Sequence, residues 1–83
     1  MSYFVYILEC ADTTLYVGIT TELERRIEEH NHDKKGARYT RGRRPVRVVY
    51  SEECDTKSLA LKRELEIKSW PREKKLELIQ EVE

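Results

Sequence analysis

The chain has 83 residues, 39% hydrophobic and 39% charged, and its 16 basic and 16 acidic side chains balance to zero. That length suits one small domain with a modest core, expected over residues 1–83, and excludes two; apolar positions spread along the whole chain argue against disorder. No apolar run approaches the ~20 residues that span a bilayer and no basic stretch opens the chain as in a secretory leader, so a cytoplasmic protein with no membrane partner is expected.

Tyr3 to Glu9 is a β-branched and aromatic run, and Ala11-Asp12-Thr13-Thr14 after it has turn character. Leu15 to Thr20 repeats the strand pattern, which predicts an antiparallel hairpin. Thr21 and Glu24 have capping-box spacing and open a helix carried to about Asn31. A polar loop with Gly36 and Gly42 follows. After Pro45, the alternation over Val46-Arg47-Val48-Val49-Tyr50 marks a third strand. Asp55 or Thr56 caps a second helix running to about Ser69, and Trp70-Pro71 breaks it and starts a third. The expected architecture is ββαβαα, an α/β fold with a small, mainly antiparallel three-stranded sheet flanked by helices. Cys10 and Cys54, with no Cys/His cluster around them, are expected to be reduced, buried thiols.

Charge is distributed unevenly. Residues 1–33 carry seven acids against Arg25 and Arg26, whereas residues 34–47 carry Lys34, Lys35, Arg38, Arg41, Arg43, Arg44 and Arg47 and no acid. Guanidinium groups donate paired hydrogen bonds to phosphate, so this segment points to a polyanionic partner; a solvated loop answering the acidic helix before it is the alternative. Such a polar loop is expected to contribute little to the core.

On the first helix, Leu23 and Ile27 lie about 40° apart, with Arg26 and His30 on the same side. Arg26 and His30 either line a cleft or, respectively, snorkel and find a backbone acceptor. On the second helix, Ala60 and Ile67 form one apolar pair and Leu61 and Leu65 another, and Glu64 and Lys68 fill the gap between them. A carboxylate placed there needs a metal, an arginine or its i+4 neighbour Lys68.

The two strands add a signature. Tyr16-Val17-Gly18 is a variant of Tyr-Ile-Gly, and Phe4-Val5-Tyr6 keeps the tyrosine of the first motif while replacing its glycine. Arg26 follows ten residues after Tyr16, His30 four further on, and Glu64 lies on the next helix. In this order and spacing the chain resembles the GIY-YIG nuclease superfamily, and most of all its small stand-alone bacterial members, whose look is also carried by Gly36-Ala37-Arg38-Tyr39-Thr40 and Arg43-Arg44-Pro45.

The resemblance implies a metal-dependent endonuclease acting on nucleic acid, with DNA the expected substrate. It implies a divalent cation, expected to be magnesium, with Glu64 as its main protein ligand. Arg26 is implied at the scissile phosphate, Tyr6 and Tyr16 at the attacking water, and His30 beside them as a route for a proton. A base drawn from the tyrosines needs a depressed pKa or a proton passed onward, and the sequence does not choose between them. Gly18, Arg38, Tyr39, Arg41, Arg43 and Arg44 are the expected substrate-binding residues. Two other readings keep the fold: a nucleic-acid-binding module without cleavage, and a protein-interaction domain with a vestigial site that meets a protein partner or a second copy.

Overall fold

The computed structural model describes residues 2–32 and 38–81. Lys34, Lys35, Gly36 and Ala37 lie outside the described residues, as does the side chain of Arg38. The elements are β1 (Tyr3–Glu9), β2 (Leu15–Thr20), α1 (Leu23–His32), α2 (Arg38–Arg41), β3 (Arg47–Cys54), α3 (Lys57–Lys68) and α4 (Arg72–Glu81). The expected ββαβαα order holds, with α2 added as a single turn inside the segment read as loop.

β1 is the middle strand of an antiparallel sheet of order β2-β1-β3. Its four central residues, Val5 to Leu8, are all buried, because both faces of the sheet are covered. Strand alternation sends Val5 and Ile7 to one face, where they pack with Val17, Ala60 and Ile67 and with Trp70, Leu78 and Ile79 of the α3 and α4 region. Tyr6 and Leu8 go to the other, with Cys10, Val46, Tyr16, and Leu23 and Ile27 of α1.

The hairpin turn closes through Cys10 N–H to the Thr14 carbonyl at 2.9 Å, and the Asp12 carboxylate accepts from both the N–H and the hydroxyl of Thr14. α1 begins later than the capping-box reading placed it. Glu22 supplies the first helical carbonyl, to Arg26 N–H, and the Thr20 hydroxyl accepts from Glu22 N–H. For α3 the Thr56 alternative is the cap: its hydroxyl accepts from Leu59 N–H at 3.2 Å, and the helix ends at Ser69.

Three expectations are corrected. β3 runs on to Cys54 through Ser51-Glu52-Glu53, because pairing of Tyr3, Phe4, Val5 and Tyr6 with these residues outweighs the poor strand preference of glutamate. Leu61 and Leu65, the second apolar pair, are 40% and 67% exposed, and the fully buried residues of α3 are Ala60 and Ile67. The basic segment, finally, is not detached from the core: Thr40 is fully buried and Val46 nearly so. Asn31 fastens it, its side-chain amide accepting from Val46 N–H at 2.7 Å and donating to the Val46 carbonyl at 3.0 Å. Of the two free thiols, Cys10 is buried as expected and Cys54 only half-buried.

Candidate active site

Tyr6 and Gly18 are directly paired across β1 and β2. The Tyr6 ring lies so close over Gly18 that a Cβ there would sit 2.5 Å from the tyrosine Oη and 2.7 Å from Cζ. Glycine at this position is what lets Tyr6 lie flat against β2 towards Tyr16, whose ring centroid is 6.5 Å away.

α1 brings His30 against both rings, at 5.9 Å from Tyr6 and 5.2 Å from Tyr16, each edge to face. His30 is fully buried and spans two hydroxyls: Nε2 is 2.9 Å from Tyr6 Oη, and Nδ1 is 2.9 Å from Thr40 Oγ1. α2 thus supplies the far end of a buried chain running Thr40, His30, Tyr6. Burial, reinforced by the charge on Arg26, holds the His30 imidazole down at about 4. Burial also pushes the Tyr6 hydroxyl up to about 12, although Arg26 opposes the shift by donating a hydrogen bond to it. At neutral pH both groups are uncharged. Arg26 donation at the Tyr6 oxygen suits the arrangement in which the Tyr6 hydrogen is directed at Nε2 and Nδ1–H donates to Thr40.

Arg26 is also held from its own helix, its Nη1 donating to Glu29 Oε1 at 2.9 Å. Glu64 sits on α3 between buried Ala60 and Ile67, with its side chain 15% exposed and Oε2 3.4 Å from Lys68 Nζ. Its charge reaches Tyr6 and adds to the rise of that hydroxyl. Tyr6, Tyr16, Arg26 and His30 are thus brought together from two strands and one helix, and Glu64 on α3 is linked to them through the effect of its charge on Tyr6.

The expected substrate-binding residues divide. Tyr39 is 38% exposed, and its ring stacks on Tyr16 at 5.8 Å and 30°. Arg43 lies over the Tyr39 ring at 4.1 Å, donates to the Tyr39 carbonyl at 2.7 Å and pairs with Asp12 at 3.0 Å. Arg44 donates to the carbonyls of His30 and Glu29, closing the end of α1. Arg43 and Arg44 thus hold the structure together in addition to any role with substrate, whereas Arg41 is exposed.

Two residues escape the sequence reading. Glu29 has the i,i+3 spacing to Arg26 that a helical ion pair needs, and that spacing was a usable signal. Thr40 stood within the Gly36-Ala37-Arg38-Tyr39-Thr40 stretch that carries the resemblance, but in a segment without periodicity nothing marked its burial against His30.

Metal fit rests on Glu64. Among the described residues no three His, Cys, Asp or Glu side chains gather into a metal cage. A single, largely buried carboxylate whose charge is felt at Tyr6 and which pairs with Lys68 is unlike a zinc centre and fits magnesium, which keeps most of its waters and takes further oxygens from a phosphate.

Comparison with known proteins identifies the family and the fold. The GIY-YIG catalytic domain matches residues 2–77. A UPF0213 protein of Haloquadratum walsbyi is 57% identical over 95% of this chain and 88% of its own length. A UPF0213 protein of Staphylococcus aureus is 54% identical over 96% of both chains. The solution NMR structure of a UPF0213 protein from Bacillus halodurans superposes with a TM-score of 0.62 at 45% identity, covering 96% of this chain and 84% of that one. The NMR structure of an E. faecalis protein gives a TM-score of 0.67 at 37% identity over 99% and 86%.

Proposed function

This chain belongs to the GIY-YIG catalytic domain family, and we propose that it is a metal-dependent endonuclease that hydrolyses phosphodiester bonds in DNA. The observation that carries this reading is the placement of Arg26: its guanidinium is bonded to Tyr6 and Glu29 at the locality that Glu64 also reaches. A fixed cation beside a carboxylate and two phenols matches the needs of a phosphoryl transition state, where charge grows on the oxygens and the nucleophile is water.

The chain divides the work as follows. Arg26 contacts the scissile phosphate and stabilises its growing charge, oriented by Glu29 and Tyr6. Tyr16, half-buried, is the tyrosine that meets water. Tyr6 is 1% exposed and its hydroxyl lies at about 12, so it acts as a neutral strut between Arg26 and His30 and not as a resting base. Proton transfer from Tyr6 to His30 in the resting site runs uphill, from a group at about 12 to one at about 4. Glu64 holds the metal. Bound magnesium supplies a water of lowered pKa and a Lewis-acid contact to the phosphoryl oxygens.

A cleavage screen over single-stranded, duplex, flapped and branched DNA and RNA, with and without magnesium or manganese, tests this function. Metal-dependent cutting of at least one DNA form is expected. Binding without cutting under every metal would instead favour a nucleic-acid-binding module.

A further inference from the structure

A shallow cleft of about 230 Å³ lies beside Tyr16, lined by Thr14 of the hairpin turn, Leu15 at the start of β2, Tyr39 of α2, and Arg72 and Lys75 of α4. Tyr39 connects the two places, since its ring stacks on Tyr16 at 5.8 Å while also forming a wall of this cleft. The lining contains two cations and no acid.

Two cations of α4 share one side of the helix. At ~100° per residue Arg72 and Lys75 lie about 60° apart, whereas Glu77 and Glu81 fall on the far side of the helix. Those two acids line a separate groove with Arg63, Trp70, Lys74 and Leu78. Lys74, adjacent in sequence to Lys75, is turned into that groove and lies 4.4 Å from the centre of the Trp70 ring. Among the described residues neither Arg72 nor Lys75 forms an ion pair, as is also true of Lys57, Lys62 and Lys74, but only Arg72 and Lys75 face this cleft. Two cations without a carboxylate partner, converging on a cleft that shares Tyr39 with the tyrosine pair, are suited to an anion outside the protein.

We propose that this cleft is a second phosphate-binding site, in which Arg72 and Lys75 hold the backbone of the nucleic-acid strand to one side of the phosphate to be cut. It rests on the nuclease reading for the direction of the strand, and on nucleic-acid binding for its ligand. The strand then passes from the Tyr16 and Tyr39 stack onto α4, so α4 takes part in substrate binding as well as in covering the sheet.

The test is binding of a fluorescent DNA duplex, without divalent metal, as a function of salt. It compares wild type with Arg72→Gln, Lys75→Gln and Lys74→Gln. Each phosphate that the protein ceases to neutralise lowers the slope of log affinity against log salt by roughly 0.9 on duplex DNA, so that decrease is expected for Arg72→Gln and for Lys75→Gln. Lys74→Gln, the same charge change in the other groove, is expected to leave the slope unchanged, and Lys75→Arg to restore it. Thermal melts of the variants matching wild type separate the effect from misfolding. The proposal is overturned if both cleft variants keep the wild-type slope, or if Lys74→Gln lowers it as much as Lys75→Gln. Wild type that binds no nucleic acid overturns it too. Wild type that binds, has a lower slope in both cleft variants, and cuts nothing with any metal sustains the cleft and removes the nuclease function.

Discussion

His30 is an ionisable side chain enclosed on every side, and that makes the fold sensitive to acid. Its imidazole is held at about 4 by burial and by Arg26, below the ordinary value of 6.5. The unfolded chain therefore takes up a proton first as pH falls. The contribution of neutral His30 to stability is complete above about pH 6.5 and is lost progressively down to about 4, by on the order of 3 kcal/mol. Denaturant unfolding of wild type and His30→Gln across that window measures it. The wild-type curve is expected to fall more steeply with acid, and parallel curves would contradict this account of His30. Helical spacing placed His30 and Arg26 together beside Leu23 and Ile27, but it left open whether they lined a cleft or merely found local partners. The answer depends on Tyr6 and Thr40, which lie 24 and 10 residues away from His30 and come together with it only through the fold. Likewise, burial raises Tyr6 instead of depressing it, and no local pattern reports burial.

The elements were legible where periodicity or a breaker marked them. β1 and β2 stand where the β-branched and aromatic runs and the turn residues put them, and the Trp70-Pro71 break separates α3 from α4. Leu61 and Leu65 had correct helical spacing but no element opposite them, so spacing alone overstated their burial. The basic segment was the least legible, because arginine composition signals charge and says nothing of what each guanidinium touches. Arg44 bonds the last carbonyls of α1, so Arg44→Ala is expected to destabilise the fold by about 1.5–3 kcal/mol, the range for hydrogen bonds made by a charged group. Arg41, which is exposed, is expected to change stability by less than ~0.5 kcal/mol when replaced by alanine while weakening DNA binding. Urea unfolding of the two variants beside DNA titration distinguishes them. Equal stability of Arg44→Ala and wild type would show that the cap contributes nothing.

At the scale of the molecule, zero net charge conceals a division of labour. The sheet carries Tyr6 on its central strand and Tyr16 on the neighbouring edge strand, α1 brings Arg26 and His30 to one side, and α3 brings Glu64 between two residues that anchor it to the core. Each catalytic candidate thus comes from a rigid element, the condition for holding a reacting geometry. The central claim is that this assembly cuts DNA through a metal held at Glu64. The most direct test is to measure cleavage and binding together for wild type and Glu64→Gln, which keeps size and helix propensity but removes the charge. Metal-dependent cleavage by wild type is expected to fall at least about a hundred-fold in Glu64→Gln, with DNA affinity nearly unchanged. Cleavage by Glu64→Gln at the wild-type rate would contradict the claim and leave Glu64 as only the helical partner of Lys68.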